Sequence, residues 1–170
     1  MTEPAPAHHP SFTVLGLRTR TTNALETDAA TARIPGLWHR WFAGGGAAQL
    51  SGSAPHAASY GLYHAYESDH RGAYDLVVGA AMPSTATPPP GFTRVDVPAA
   101  PYLVFRGMGA MPAIVIQTWA TVWEYFANHS DVRRAYTMDF ERYDPAQGDQ
   151  VDIYIAITDA RDAGASQRRR

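Results

Sequence analysis

The stretch YTMDFERYDPAQGDQVDIYIAI, residues 136–157, has the pattern of two β-strands joined by a turn. Tyr, Phe, Val and Ile, which strands favour, fill its two ends, and a run of Asp, Pro, Gln and Gly separates them. Glu141 stands inside the first strand, between Phe140 and Tyr143. A carboxylate in an aromatic strand is either solvated on an exposed face or kept inside the fold for a ligand. The residues alone leave both interpretations open.

The same pattern occurs once earlier in the chain. Residues 59–82, SYGLYHAYESDHRGAYDLVVGAAM, also have the pattern of strand, turn and strand. The alignment that places Asp75 on Asp152 also places His64 on Glu141, so neither copy carries an apolar residue at the latter position. Self-similarity of this kind indicates an internal duplication.

A helical segment rich in aromatic residues precedes each of these hairpins. The two segments are IPGLWHRWFA and MPAIVIQTWATVWEYFA, and their alignment places Trp38 on Trp123. Each helix in turn follows a strand-like segment, FTVLGLRTRT or PYLVFRGMGA. We therefore predict an α+β fold of duplicated β-α-β-β units with pseudo-twofold symmetry, in which an antiparallel sheet carries two helices on one side.

The duplication and the composition of the chain ends set the predicted domain boundaries. The segment PSTATPPPG, with three consecutive prolines, separates the two halves as a linker. We expect a single domain over residues 12–157, with repeat one over about 12–82 and repeat two over about 92–157. Residues 1–11, rich in Pro, Ala and His, are expected to form a disordered tail, and residues 158–170, rich in Ala, Gly and Arg, a flexible one.

Composition argues against several classes of function. The formal net charge of −2 gives no electrostatic basis for direct nucleic-acid binding. The N-terminal sequence lacks the features of a signal peptide, and no apolar run is long enough to cross a membrane. Cysteine is absent, which suits a cytoplasmic protein and removes thiolate metal sites. The histidines show no zinc-binding spacing, so we expect neither a metal nor a cofactor.

Aromatic residues make up 11% of the chain and concentrate on the equivalent helices and strands of the two halves. We expect ordinary core packing to account for more than half of them. However, a cation over aromatic faces gains up to ~2 kcal/mol per desolvated contact, and a carboxylate ringed by Trp and Tyr suits a lipophilic cation. The candidate ligand-binding residues are Glu141, Trp123, Trp119, Trp38, Tyr63, Phe140, Tyr154 and His64.

Three segments together resemble a known family. YGLYHAYESDHRGAYDLVVGAAM, YLVFRGMGAMPAIVIQTWATVWEYF and AYTMDFERYDP, the last followed by VDIYIAI, closely resemble the GyrI-like effector-binding domains, and the match spans roughly residues 12–157. Such domains serve as sensor domains of AraC-type and MerR-type multidrug transcription regulators. They also occur as stand-alone proteins that include integron-cassette cationic-drug binders. The resemblance implies a cleft between the halves, lined by aromatic residues around a central glutamate, which is Glu141 here.

The resemblance implies a protein that binds small lipophilic, cationic and aromatic molecules. Some relatives are hydrolases of strained cyclopropane-bearing natural products, which would make Glu141 catalytic. Others are protein-interaction modules of the gyrase-inhibitor type, for which the partner here is unknown. We expect binding rather than catalysis. Only ten residues precede the first predicted strand, too few for a helix-turn-helix, so we expect no direct contact with DNA.

Overall fold

The structure is a computed structural model that describes residues 3–50 and 57–158. Within these ranges the strands are β1 (Ala5–His9), β2 (Phe12–Thr21), β3 (Ser59–His64), β4 (Tyr74–Met82), β5 (Thr93–Val97), β6 (Ala100–Met108), β7 (Asp139–Tyr143) and β8 (Gln150–Ala156). The α-helices are α1 (Asn23–Glu26), α2 (Ile34–Ala43) and α3 (Ala113–Asn128), and short 3-10 helices cover Gly46–Gln49 and Pro145–Gln147.

All eight described strands form one antiparallel sheet in the order β1-β6-β8-β7-β3-β4-β2-β5. The first unit consists of β2, α2, β3 and β4, and the second of β6, α3, β7 and β8. Their strands run in mirrored order and the units meet edge to edge where β3 pairs with β7. The α+β fold, the duplicated units and the antiparallel sheet are therefore confirmed.

A repeated ion pair fixes the correspondence between the two units. Arg20 lies opposite Asp75 across β2 and β4, with 3.0 Å between Nη1 and Oδ1. Arg106 lies opposite Asp152 across β6 and β8, with 2.7 Å between Nε and Oδ1. The strands β4 and β8 therefore correspond in the predicted alignment, with Asp75 matching Asp152.

The predicted pairing of His64 with Glu141 is wrong by one position. Tyr63 lies opposite Leu76, and Glu141 lies opposite Ile153, which directly follows Asp152 as Leu76 follows Asp75. Tyr63 is thus the counterpart of Glu141, because the first hairpin is longer than the second by a single residue. Such a slip moves a side chain to the other face of the sheet, so His64 points away from the face that carries Glu141.

The helices also correspond in a different alignment from the predicted one. In α2 the buried side chains are Leu37 and Trp41, and in α3 they are Thr118 and Val122. The equal spacing of these pairs aligns the two helices so that Trp38 matches Trp119 rather than Trp123. Trp38 and Trp119 each directly follow the first buried residue of their helix.

Both long helices pack on the same face of the sheet, as predicted. The core under α2 includes Leu37 and Val78, and the core under α3 includes Val122 and Ile153. Val78 and Glu141 both lie opposite Gly61, and Ile153 lies opposite Glu141, so these side chains share one face. The other face carries a separate core that includes Tyr60, Leu62, Tyr102 and Phe140.

The prediction of a disordered tail over residues 1–11 is wrong for its central part. Residues 5–9 form β1, which pairs with β6 from Ala5 opposite Val104 to His9 opposite Ala100. The His9 ring then packs beside Phe12, Tyr102, Phe140 and Tyr154. The strand is ordered by these distant partners, which local composition does not reveal. The predicted C-terminal tail lies outside the described residues after Thr158.

The helices of the described ranges offer no candidate membrane span, because none of them is both long and apolar enough.

Candidate ligand-binding site

A cleft of about 1050 Å³ opens on the helix-bearing face of the sheet, between α2 and α3. Its floor lies over the central strands β3 and β7, where the two units meet. Most of its walls are aromatic or aliphatic; the lining includes Trp38, Phe42, Tyr63, Tyr66, Tyr74, Val115, Ile116, Trp119, Trp123, Glu141 and Tyr143. A concave and mostly apolar cavity with a few polar groups is typical of small-molecule sites.

Glu141 lies at the floor of the cleft and is only 2% exposed. The Tyr63 hydroxyl donates to Oε1 at 2.7 Å, and the Trp119 indole N–H donates to the same oxygen at 2.6 Å. The Tyr143 hydroxyl donates to Oε2 at 2.7 Å. Residues from both units therefore hold the carboxylate, and its orientation is fixed by three hydrogen bonds.

No ion pair among residues 3–50 and 57–158 includes Glu141. Burial raises the pKa of Glu141 above its ordinary value, and the hydrogen bonds from Trp119, Tyr143 and Tyr63 oppose this rise. A buried carboxylate without a cationic partner costs several kcal/mol even after relaxation. Among the described residues, this carboxylate is therefore stabilised by neutral donors alone.

Aromatic rings surround the carboxylate on both sides. The Trp38 ring meets Tyr143 edge to face, with 5.0 Å between centroids, and stacks on Phe42 at 5.6 Å. Across the cleft, Trp119 meets Tyr63 at 5.2 Å. Trp38 and Trp119, which correspond in the two units, thus flank the floor from opposite helices.

Gly61 permits the close packing around Glu141. A Cβ atom at this position would lie 2.9 Å from Glu141 Oε2 and 3.0 Å from Trp38 Cζ2. Both distances are below ordinary van der Waals contact, so any larger residue would displace the carboxylate or the indole ring.

The cleft also contains a cation, but that cation is already neutralised. Arg134 donates from Nη2 to Asp139 Oδ2 at 2.6 Å, and Asp139 also accepts from the Tyr66 hydroxyl at 2.6 Å. The guanidinium carbon lies 4.5 Å from the Tyr136 centroid and 5.3 Å from the Trp123 centroid. Because Arg134 is paired with Asp139, it does not neutralise Glu141.

The mouth of the cleft is apolar and open to solvent. Ile116 and Phe42 are 68% and 66% exposed, and Met111 and Trp123 are partly exposed beside them. Apolar surface therefore continues from the inside of the cleft onto its rim.

Five of the eight predicted binding residues line the cleft: Glu141, Trp119, Trp38, Tyr63 and Trp123. The structure does not bring the other three to it. Phe140 and Tyr154 lie opposite each other on the other face of the sheet and stack at 4.4 Å. His64 also faces that side, next to Asp75. Side chains alternate along a strand, so a residue adjacent to a cleft residue points away from it.

The cleft residues and supports that sequence reasoning missed include Phe42, Gly61, Arg134 and Tyr143. The strand period could have identified Tyr143, which lies two positions from Glu141 and hence on the same face. No comparable signal marked Gly61, whose role depends on pairing directly opposite Glu141. In the part of the chain that the structure describes, no group of three or more His, Cys, Asp or Glu residues could hold a metal ion.

Comparison with known proteins identifies relatives along most of the chain. The family model Cass2, described as integron-associated effector binding protein, matches residues 7–157. An integron cassette protein from the mobile metagenome of Vibrio cholerae is 32% identical; the alignment covers 92% of this chain and 96% of that one, with a TM-score of 0.75. No curated protein matches.

Two more distant structures share the fold. The structure of SAV2435 bound to tetraphenylphosphonium is 21% identical, covers 92% of this chain and 94% of that one, and has a TM-score of 0.69. The C-terminal domain of EcmrR is 10% identical, covers 93% and 98%, and has a TM-score of 0.57. Since the family model matches nearly the whole described chain, the chain belongs to the Cass2 family of integron-associated effector binding proteins.

Proposed function

We propose that this protein binds lipophilic aromatic cations in the cleft between α2 and α3, and that Glu141 recognises their positive charge. The observation that carries the proposal is a buried carboxylate with three neutral hydrogen-bond donors and no cationic partner among the described residues. Aromatic rings from both helices and both central strands surround it. A ligand with a delocalised charge supplies the missing cation and covers the apolar walls.

The energetic terms favour such a ligand. A unit charge about 5 Å from Glu141 gains roughly 3 kcal/mol at an effective dielectric constant of about 20. Contacts between a desolvated cation and the faces of Trp or Tyr add up to ~2 kcal/mol each. A compact, strongly hydrated ion would lose most of this gain on leaving water, whereas a lipophilic cation has little hydration to lose.

Two comparisons support the proposal. The family's description names effector binding, which is a small-molecule function. A more distant protein of the same fold was solved bound to tetraphenylphosphonium, a lipophilic cation. The absence of cysteine supports a reducing compartment such as the cytoplasm as the place of binding.

The contacts of Glu141 favour binding over hydrolysis. A general base needs a carboxylate oxygen within hydrogen-bond reach of a water molecule or substrate proton. Here both oxygens already accept hydrogen bonds, two at Oε1 and one at Oε2. This arrangement suits a fixed charge that acts through its field.

Tetraphenylphosphonium and tetraphenylborate test the proposal, because the two ions have the same shape and opposite charges. Tryptophan fluorescence is the readout, since Trp38, Trp119 and Trp123 line the cleft while Trp41 is buried on the core-facing side of α2. We expect the cation to quench fluorescence with a Kd near micromolar, about −8 kcal/mol, and the anion to bind at least ~100-fold more weakly. Equal affinities for the two ions would show that Glu141 does not recognise ligand charge.

A further inference from the structure

The hydrogen-bonding capacity of Glu141 is almost fully used inside the protein. An ionised carboxylate offers about four lone-pair positions. Tyr63 and Trp119 occupy those of Oε1, at 2.7 and 2.6 Å, and Tyr143 occupies one of Oε2, at 2.7 Å. About one position, on Oε2, is left for a ligand.

That last position is crowded by the backbone and by an aromatic ring. A Cβ atom on Gly61 would lie 2.9 Å from Oε2 and 3.0 Å from Trp38 Cζ2, so little room is left on the Gly61 side of this oxygen. A ligand donor that approaches Oε2 from the Gly61 side would therefore meet the backbone or the Trp38 ring.

The other carboxylate and amide acceptors near α1 are also engaged. Asn23 accepts from the Tyr74 hydroxyl at 3.1 Å. Glu26 accepts from the Thr21 hydroxyl at 2.5 Å and from the backbone N–H of Ile34 at 3.1 Å. Glu26 also accepts from the backbone N–H of Arg33, so its lone pairs are used within the fold, whereas Asn23 Oδ1 keeps a second lone pair.

Buried donors without acceptors are costly, and ammonium groups differ in how many they carry. A protonated primary amine has three N–H donors that are satisfied in water, whereas a quaternary ammonium or phosphonium ion has none. Building on the proposed cation binding, we infer that the donors around Glu141 make the cleft select cations without N–H groups over protonated amines. Tyr143 is the specificity-determining residue, because it is the single described donor to Oε2.

The change Tyr143→Phe isolates this effect. It removes the hydroxyl that occupies Oε2 and keeps the ring that packs 5.0 Å from Trp38. An ammonium N–H can then donate to Oε2 from the side where the hydroxyl stood. In Tyr63→Phe the effect has the same direction and is smaller, because Trp119 still donates to Oε1.

Two probes with one skeleton provide the measurement: (4-phenylbenzyl)trimethylammonium and 4-phenylbenzylammonium, both singly charged at neutral pH. Their Kd values are measured on the folded full chain by displacement of tetraphenylphosphonium, and the ratio of the two Kd values is compared between proteins. The extra methyl groups of the quaternary probe affect every protein equally, so the change in ratio reports the N–H groups alone.

We expect the wild type to prefer the quaternary probe and Tyr143→Phe to reduce that preference by about tenfold. The matched control is Tyr102→Phe, which removes a buried, unpartnered hydroxyl on the other face of the sheet and should leave the ratio unchanged. If Tyr143→Phe does not fold, Tyr63→Phe should show the smaller shift.

The outcomes separate this inference from the proposed function. If tetraphenylphosphonium binds but the ratio is the same in wild type and in the folded Tyr63 and Tyr143 variants, the selectivity inference is wrong and cation binding stands. A wild type that prefers the primary amine contradicts the inference as well. If tetraphenylphosphonium itself does not bind, the proposed function fails first.

Discussion

Replacing Glu141 by glutamine removes the charge of the cleft floor while keeping its shape. The glutamine oxygen can accept from Tyr63 and Trp119 as Oε1 does now. The Tyr143 hydroxyl can rotate to accept from the new amide group. The substitution should therefore preserve the fold and change the electrostatic contribution to binding.

The expected loss follows from the geometry of the site. A cation about 5 Å from the carboxylate gains roughly 3 kcal/mol at an effective dielectric constant of about 20, and the amide dipole retains part of this. Glu141→Gln should thus weaken tetraphenylphosphonium binding by about 1–3 kcal/mol, or ~5- to 150-fold. Titration by calorimetry or tryptophan fluorescence measures the change.

The same variant has a predictable effect on stability. Burial raises the pKa of Glu141, so the folded state binds this proton more tightly than the unfolded chain does. The stability from this group is then fully present below the unfolded pKa and is lost as pH rises through the folded pKa. At neutral pH the neutral glutamine should leave Tm unchanged or raise it, and its advantage over wild type should shrink in acid.

The affinity of the wild type for cations should also fall as pH drops through the raised pKa of Glu141, whereas that of Glu141→Gln should not depend on pH there. If Glu141→Gln binds tetraphenylphosphonium as tightly as wild type, the carboxylate charge does not contribute to binding. A large loss of Tm at neutral pH would likewise show that the ionised carboxylate stabilises the fold.

Two further predictions concern packing. Gly61→Ala places a methyl group 2.9 Å from Glu141 Oε2 and 3.0 Å from Trp38 Cζ2. The substitution should therefore lower the free energy of unfolding by about 1–3 kcal/mol and weaken cation binding. An unchanged Tm and Kd would contradict this close approach. Deleting residues 1–10 removes β1 and should lower the free energy of unfolding by about 2 kcal/mol or more. Deleting residues 1–4 keeps β1 and should leave stability unchanged. Equal Tm values for both truncations would show that β1 does not contribute to stability.

The sequence was sufficient to predict the duplicated fold, because strand, helix and hairpin patterns recur in the same order in both halves. It also identified Glu141 as a candidate, since a charged residue interrupts an aromatic strand. The predicted alignment was correct for Asp75 and Asp152 but wrong for His64, because the two hairpins differ in length by a single residue. Only the pairing of residues between neighbouring strands reveals a difference of one residue, and sequence similarity alone does not give that pairing.

Other features depend on contacts between distant parts of the chain. β1 forms because it pairs with the edge of β6. In addition, the His9 ring packs among aromatic residues on the face of the sheet that does not carry the helices. Neither partner is visible in a segment rich in Pro, Ala and His. Phe140 was assigned to the cleft through its proximity to Glu141 in sequence, although strand alternation places adjacent residues on opposite faces. Applying that rule would have selected Tyr143 in its place.

If a cation binds beside Glu141, the buried charge of the carboxylate and the charge of the ligand should stabilise each other. The most direct test is a carboxyl ¹³C NMR titration of Glu141 in the empty protein and in the presence of saturating tetraphenylphosphonium. We predict a pKa above the ordinary glutamate value in the empty cleft and a clear decrease when the cation is bound. A Glu141 pKa that is the same with and without the bound cation would show that the two charges do not interact.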